Sequence, residues 1–399
     1  MTAPHESAFA ELVAALTDSA AYVEQHPFYA DAENQASGYA FLVSMLLSRL
    51  EERVVFDTEQ PYFRILDPRI REGGDNPDQR YLIARLVGGE TYRIWGTLGG
   101  ARRLDVQIYA GDPYIAGSGG RSASFLNFEQ ITFGDDGSFE ILASPEPPAS
   151  DEPARTWLEN PADSTRILVR QVFSDWEHEL PGEVHIDRAG REGVLKPALT
   201  ADDLAARLRA AAVDLRQHVE VWPEMVRNGY LQAPNALFPP MDPSTLGGVA
   251  GRWMSGGSWD LATDEALVVR TWPASGNYQG IQLADLWFSS LEYANRQTSL
   301  STDQAHPSAD GSYWFVIAGR DPGVANWLDT MGRRRGAILL RYDGTTETTF
   351  DPAKHPTAVK VDIAELDRHL PGEIMRVTPE ERAEQIAIRR RHVQRRFGN

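Results

Sequence analysis

The sequence predicts a mainly β protein with accessory helices, built as two tandem β-sandwich or jelly-roll-like domains related by internal duplication. A helical N-terminal segment, a helical insert and a C-terminal helix complete it. Three observations lead there. Short β-rich runs divided by turn signals fill 62–190 and return from 251 to 374. The stretches outside them carry apolar residues at helical spacing. One block of sequence also recurs in the second half. The division that follows is 1–60 for the first helices, 61–198 for the first sandwich and 199–245 for the insert with a Pro-rich connector. The second, jelly-roll-like domain is 246–375, and the last helix is 376–399.

The first segment reads as two helices. Phe9, Leu12, Val13, Leu16 and Ala20 share helical spacing, with Ser7 placed to cap the start. His26-Pro27 ends that helix, and the second runs from about Ala36 to Val54. Its run YAFLVSMLLSRL is about a dozen residues, whereas a membrane span needs roughly 20. No membrane span is expected. The opening MTAPHESAFAEL has neither the basic nor the apolar region of a signal peptide, so the expected location is cytoplasmic.

In the first β-domain, runs such as YFRIL, RYLIARL, TYRIWGTL and TRILVRQVF are separated by GGDNPD, VGGE, GDPY and DDGS. The insert opens with Thr200 three residues before Asp203, a capping-box arrangement, and Pro223 ends its best helical part. The last helix has Thr378 at its N-cap and Pro379 at its first position, with acidic first and basic last turns that suit the helix dipole. Its basic end suits a solvated face or a contact between copies in a homo-oligomer.

The repeat pairs DGSFEILASPEPPASDEPARTWLENPADSTRILVRQ (136–171) with DGSYWFVIAGRDPGVANWLDTMGRRRGAILLRY (310–342). Both run from Asp-Gly-Ser-aromatic through an apolar strand and a Pro-bearing loop to Trp-Leu-acid, a polar turn and an Arg-ended strand. Trp157 to Arg170 spans 13 residues and Trp327 to Arg341 spans 14. Upstream, YLIARLVGGETYRIWG pairs with ALVVRTWPASGNYQGIQ.

Composition removes several function classes. A net charge of −18 disfavours nucleic acid, whose phosphates need a basic surface. The absence of cysteine excludes thiol catalysis, thiolate metal sites and disulfides. No GxGxxG, Walker or GxSxG motif occurs, so no cofactor is expected. His178 and His185 lie among carboxylates but lack tight ligand spacing, and read as part of a charged edge strand; no metal is expected. EGGDNPDQRY (72–81) reads as a turn, because it lacks the acidic spacing of a calcium loop.

The stretch from NYQGIQLADLWFSSLEYANRQ to RRRGAILLRY resembles the family catalogued as domain of unknown function 1214. The shared features are a Tyr-x-Gly-x-Gln strand, a Trp before Ser-Leu, an Asp-Gly turn and an Asn-Trp-Leu loop. The resemblance covers about 245–345, and the upstream half looks like the companion N-terminal β-domain of such proteins. It implies a jelly-roll C-terminal domain, a β-sandwich-like N-terminal one and accessory helices.

Six of the ten tryptophans (Trp253, Trp259, Trp272, Trp287, Trp314 and Trp327) fall within 75 residues. Those in strand-like runs read as core. Trp287 and Trp327 sit beside polar turns, so they are expected to line a pocket in the C-terminal domain. Tyr278 and Gln282 are expected on one face of their strand with Gly280 on the other. Arg341 joins them as a substrate-binding candidate. Asp329 and Glu292 are the candidate catalytic carboxylates, with Asp329 also free to hold its loop through Arg341 or one of Arg333 to Arg335. The function expected is a cofactor-independent enzyme acting on a small apolar or aromatic molecule, terpenoid, steroid or similar, by acid/base chemistry. A lyase or isomerase is preferred over a hydrolase. The alternative is a non-catalytic carbohydrate- or lipid-binding protein that uses the same aromatic platforms.

Overall fold

Alternating apolar and polar side chains give each strand one face for a core and one for its surroundings, and here they assemble two sandwiches of two sheets each. The structure is a computed structural model and describes residues 3–115, 117–149, 156–246 and 248–398. Strands of the first domain are β1 (Arg64–Leu66), β2 (Gln79–Arg85), β3 (Tyr92–Thr97), β4 (Arg103–Ala110), β5 (Arg121–Leu126), β6 (Ser138–Ser144), β7 (Thr156–Glu159), β8 (Ser164–Val172) and β9 (Val184–Arg188). Those of the second are β10 (Ala236–Met241), β11 (Arg252–Asp260), β12 (Glu265–Thr271), β13 (Tyr278–Ala284), β14 (Ser299–Ser301), β15 (Tyr313–Ala318), β16 (Trp327–Asp329), β17 (Arg335–Asp343) and β18 (Thr357–Asp362).

The first domain pairs a β1-β2-β8-β4-β5 sheet with a β7-β6-β3-β9 sheet. The second pairs β10-β11-β17-β13-β14 with β16-β15-β12-β18. Adding nine to every strand number converts one order into the other. The match includes the parallel pairs β6–β7 and β15–β16, which carry Trp157 and Trp327. Arg170 lies on central strand β8 opposite Tyr81 and Asp105, and Arg341 on β17 opposite Met254 and Gly280. The chain is thus a tandem duplication of one sandwich. The upstream pairing read from sequence is out of phase by one strand: RYLIARL is β2, whose equivalent is β11 and not β12. Two apolar strands with a Gly-bearing turn between them look alike wherever they fall in a sandwich.

Within each sandwich the inward positions are apolar. Ile167 and Val169 of β8 enter the first core, and Ile338, Leu340 and Tyr342 of β17 enter the second. Positions between them point to the outer face of each five-stranded sheet, where Leu168 and Arg170 match Leu339 and Arg341 and, with Arg166 and Asp343, line a single shared space.

The helices are α1 (Pro4–Gln25), α2 (Ala32–Leu50), α3 (Ala201–His218), α4 (Val221–Met225) and α5 (Pro379–Phe397). Ser7 lies inside α1, which begins at Pro4, and α2 starts four residues earlier than expected. Proline is tolerated in a first turn, where its missing N–H is not needed. Thr200 and Thr378 cap α3 and α5 as expected, each accepting from the backbone N–H three residues on. Helices α1, α2 and α3 pack their apolar faces together and onto Trp287 and Leu339 of the second domain. Helix α5 presents Arg382, Arg389 and Arg396, seven residues apart, along one buried face. Arg389 donates to the Tyr293 and Ser299 carbonyls of the second domain, and Arg396 donates to the Pro77 carbonyl of the first. It therefore straps the two sandwiches together. Among the described residues no helix is long and apolar enough to cross a membrane.

Candidate functional site

The outer faces of the two five-stranded sheets, the insert and the loop before β2 line a cavity of about 1030 Å³. Strand β8 supplies Leu168 and Arg170, β17 supplies Leu339 and Arg341, and the insert supplies Trp222 and Tyr230. Tyr81, Tyr109, Tyr114 and Phe288 extend the aromatic wall. Most of this surface is apolar, with a few oriented polar groups, which is the usual make-up of a small-molecule site.

The loop at 72–76 can run along this wall only because it has glycines. Gly73 and Gly74 have φ of 68° and 62°. A Cβ on Gly73 would stand 2.8 Å from the Trp222 ring, and one on Gly74 would stand 2.8 Å from both Leu339 and Phe288. This is the segment read from sequence as a simple turn. Opposite it Phe288 adopts φ of 64°, a left-handed conformation that costs an aromatic residue about 1–3 kcal/mol. Hydrogen bonds hold it there: Phe288 donates to the Asp285 carbonyl at 3.1 Å and accepts from Gly74 N–H at 2.7 Å. Asp285 Oδ1 accepts from the backbone of Trp287 and Ser289, both at 3.0 Å. Burial pushes the Asp285 carboxyl up to about 6. Strain held by such scaffolding is a common mark of a binding site.

Polar groups line one side. Arg166 reaches Glu52 at 3.2 Å, and Arg49 reaches Glu72 at 3.0 Å. His218 has both ring nitrogens engaged, by Asp112 and by the Asp214 carbonyl, each at 2.8 Å. Burial alone would raise the Glu52 carboxyl, but Arg49 and Arg166 outweigh it and hold it at about 2. Asp75 is half-buried at the cavity wall, where it accepts from Ser290 N–H at 2.9 Å and Ser290 Oγ at 2.7 Å. Burial raises its carboxyl above the ordinary range.

The candidates named from sequence divide around this cavity. Arg341 lines it, and Gln282 stands directly behind, accepting from Arg341 Nη1 and donating to the Asp75 carbonyl at 2.8 Å. Tyr278 is buried beside it and donates to Asp78 at 2.7 Å. Gly280 shares the face of Tyr278 instead of opposing it, since a Cβ there would lie 2.5 Å from the Tyr278 hydroxyl. Residues two apart on a strand point the same way.

Trp287, Trp327, Asp329 and Glu292 do not border the cavity. Trp287 is wholly buried, stacked on Phe41 and donating to the Asn34 carbonyl at 2.9 Å. Trp327 is core, donating to the Ala318 carbonyl at 3.0 Å beneath the Arg382 guanidinium. Asp329 pairs with Arg296 at 2.5 Å, and not with Arg341 or Arg333 to Arg335. Glu292 caps its own turn through the backbone of Ala294 and Asn295. A second groove, of about 720 Å³, lies wholly in the C-terminal domain beside Arg320, Arg333 and Arg334, and neither Trp327 nor Asp329 lines it. Its surface is about as polar as apolar, with Arg334 engaged by Asp260, so the larger and mostly apolar interdomain cavity is the better candidate.

Segment 173–179 is a turn, not a strand, with Asp175 accepting from the Glu177 and His178 backbone. His185 lies on edge strand β9, stacked on Trp95. Among the described residues no group of three histidine, aspartate or glutamate side chains is placed to hold a metal.

No protein-family model matches the chain, and no curated protein matches it. Among solved structures, a Vibrio parahaemolyticus protein matches at 12% identity and a TM-score of 0.47, over 81% of this chain and 98% of that one. An uncharacterized protein from Burkholderia cenocepacia matches at 30% identity and a TM-score of 0.79, over 90% of this chain and 97% of that one. At that identity, over nearly the whole of both chains, the chain belongs to the same family as the Burkholderia cenocepacia protein.

Proposed function

We propose that the protein binds a small, largely apolar or aromatic molecule in the cavity between its two β-domains. The observation that carries this reading is the shared wall: both repeats and the insert contribute side chains to one aromatic-lined space of about 1030 Å³. Tyrosine and tryptophan suit such a wall, because each joins a large apolar face to a polar tip. The test is thermal-shift screening against terpenoid, steroid and aromatic compounds, repeated on Met254→Trp, whose indole would occupy the cavity. Hits lost in that variant support the site, and hits unaffected by it place binding elsewhere.

A second reading, turnover of the bound molecule by acid/base chemistry in the manner of a lyase or isomerase, is favoured by Asp75. Its carboxyl stands at the cavity wall with burial holding the proton more tightly than usual, as a general acid or base requires. Asp75→Asn should then keep ligand binding and lose conversion of the ligand. We further propose that 245–345 is the domain that resembles domain of unknown function 1214, on the strength of the residues quoted for it.

A further inference from the structure

We infer that the ligand carries one carboxylate on its apolar body, and that Arg170 and Arg341, the same residue of the two repeats, hold that group together. This rests on the interdomain cavity being the binding site. Five arginines line the cavity: Arg49, Arg166, Arg170, Arg252 and Arg341. Three have carboxylate partners in Glu72, Glu52 and Asp343, at 3.0, 3.2 and 2.7 Å. Among the described residues, Arg170 and Arg341 have neutral partners alone. Arg170 donates to Gln107 Oε1 at 2.8 Å and to the Tyr109 hydroxyl at 3.1 Å. Arg341 donates to Gln282 Oε1 and to the Gly74 carbonyl. Arg341 stands in the field of the Asp75 carboxylate, whereas Arg170 has no ion-pair partner among the described residues, so the two half-buried guanidiniums together carry one positive charge more than their surroundings offset, a place prepared for an anion.

The arrangement is duplicated down to its support. Gln107 faces Leu168 across β4 and β8, and Gln282 faces Leu339 across β13 and β17. Each repeat therefore offers a Leu-x-Arg from its central strand and, from the neighbouring strand, a glutamine that orients the guanidinium. Both arginines line the same cavity, and Tyr81, which lies opposite Arg170 across β2 and β8, stands in the field of Arg341 as well. Two neutral acceptors on each arginine leave its remaining N–H groups for the ligand, and a planar fork matches a carboxylate. Asp75 on the same wall disfavours a second negative charge, which sets the carboxylate above a phosphate monoester.

Isothermal titration with matched probes tests this: dodecanoate, dodecanol and dodecyl phosphate, with 1-naphthoate and 1-naphthol as the aromatic pair. One or both acids should bind about ten-fold or more tightly than the matched alcohol, and dodecyl phosphate more weakly than dodecanoate. Arg170→Gln and Arg341→Gln should each bring acid and alcohol to about equal affinity, while the Lys variants keep part of the difference and report on folding. Acid and alcohol binding equally to the unaltered protein, both blocked by Met254→Trp, would overturn the carboxylate and leave the cavity reading intact. Tighter binding of the phosphate would replace the carboxylate with a dianion. Probes that bind the Met254→Trp variant undiminished, or no binding by any probe, would overturn the inference together with the cavity reading.

Discussion

The two sandwiches have one strand order but very different surroundings, and two pairs of equivalent residues show the contrast. Trp157 and Trp327 occupy the same position on the parallel strand of their sheets. Trp157 is half-buried and donates to Ser144 Oγ at 3.1 Å, whereas Trp327 is buried beneath Arg382 of α5. Here a shared position has diverged because a helix covers one copy. Arg170 and Arg341 behave in the opposite way: their surroundings differ, yet both keep a glutamine partner and both face the same cavity. Divergence of the tryptophans follows packing. The likeness of the arginines has no packing explanation, since a methionine or leucine would fill either place without leaving a charge to be balanced.

The largest expected effect sharpens the tryptophan contrast. Trp327→Ala should destabilise by about 3–5 kcal/mol, and Trp157→Ala by about 1–2 kcal/mol because it is only partly removed from water. Urea denaturation of both variants measures this, and equal losses would break the distinction. Next is Glu52, whose folded carboxyl lies at about 2. A lowered value contributes stability that is complete above the ordinary carboxylate value and is lost as pH falls from about 4.5 toward 2. Glu52→Gln should therefore cost about 3 kcal/mol at neutral pH and flatten that acid limb.

Asp285, on the second domain, should respond with the opposite sign. Burial raises its folded value to about 6, so the native state holds the proton longer than the unfolded chain and stability declines as pH rises from about 4 to 6. Both backbone bonds end on Oδ1, which asparagine can retain. Asp285→Asn should gain about 2–3 kcal/mol at pH 7 and remove that decline. Loss of stability in the variant would mean that the charge itself is needed. The smallest effect concerns the glutamines: Gln107→Leu and Gln282→Leu should weaken dodecanoate binding by similar factors, each about 3- to 10-fold in titration calorimetry. A large effect at one and none at the other would show that the repeats do not share the ligand.

Much of the architecture was legible because it is written locally. Turn residues marked the strand ends, Thr200 and Thr378 marked two helix starts, and the Trp-Leu-acid and Arg-ended strand exposed the duplication. The site was legible only in part. Arg341 and Gln282 were found because they belong to the C-terminal copy, whereas Arg170 and Gln107 could have been found by applying the repeat one step further. Trp287 and Trp327 misled because a tryptophan beside a polar turn looks exposed until distant helices are laid over it, α1 and α2 on one and α5 on the other. The Gly73-Gly74 loop gave no signal beyond a turn, since what its glycines make room for, Trp222 and Phe288, lies more than a hundred residues away.

By itself, then, the sequence determined two β-domains of one pattern, their helical attachments, and a chain without thiol chemistry, because strand period, capping and composition act over a few residues or none. Only the tertiary structure decided that the largely apolar cavity proposed as the binding site lies between the domains and not within the second one. Which face of a strand meets a core and which meets another domain depends on segments as far apart as those of Arg170 and Arg341, 171 positions apart in the chain, and no local pattern distinguishes an arginine that faces solvent from one that faces a cavity.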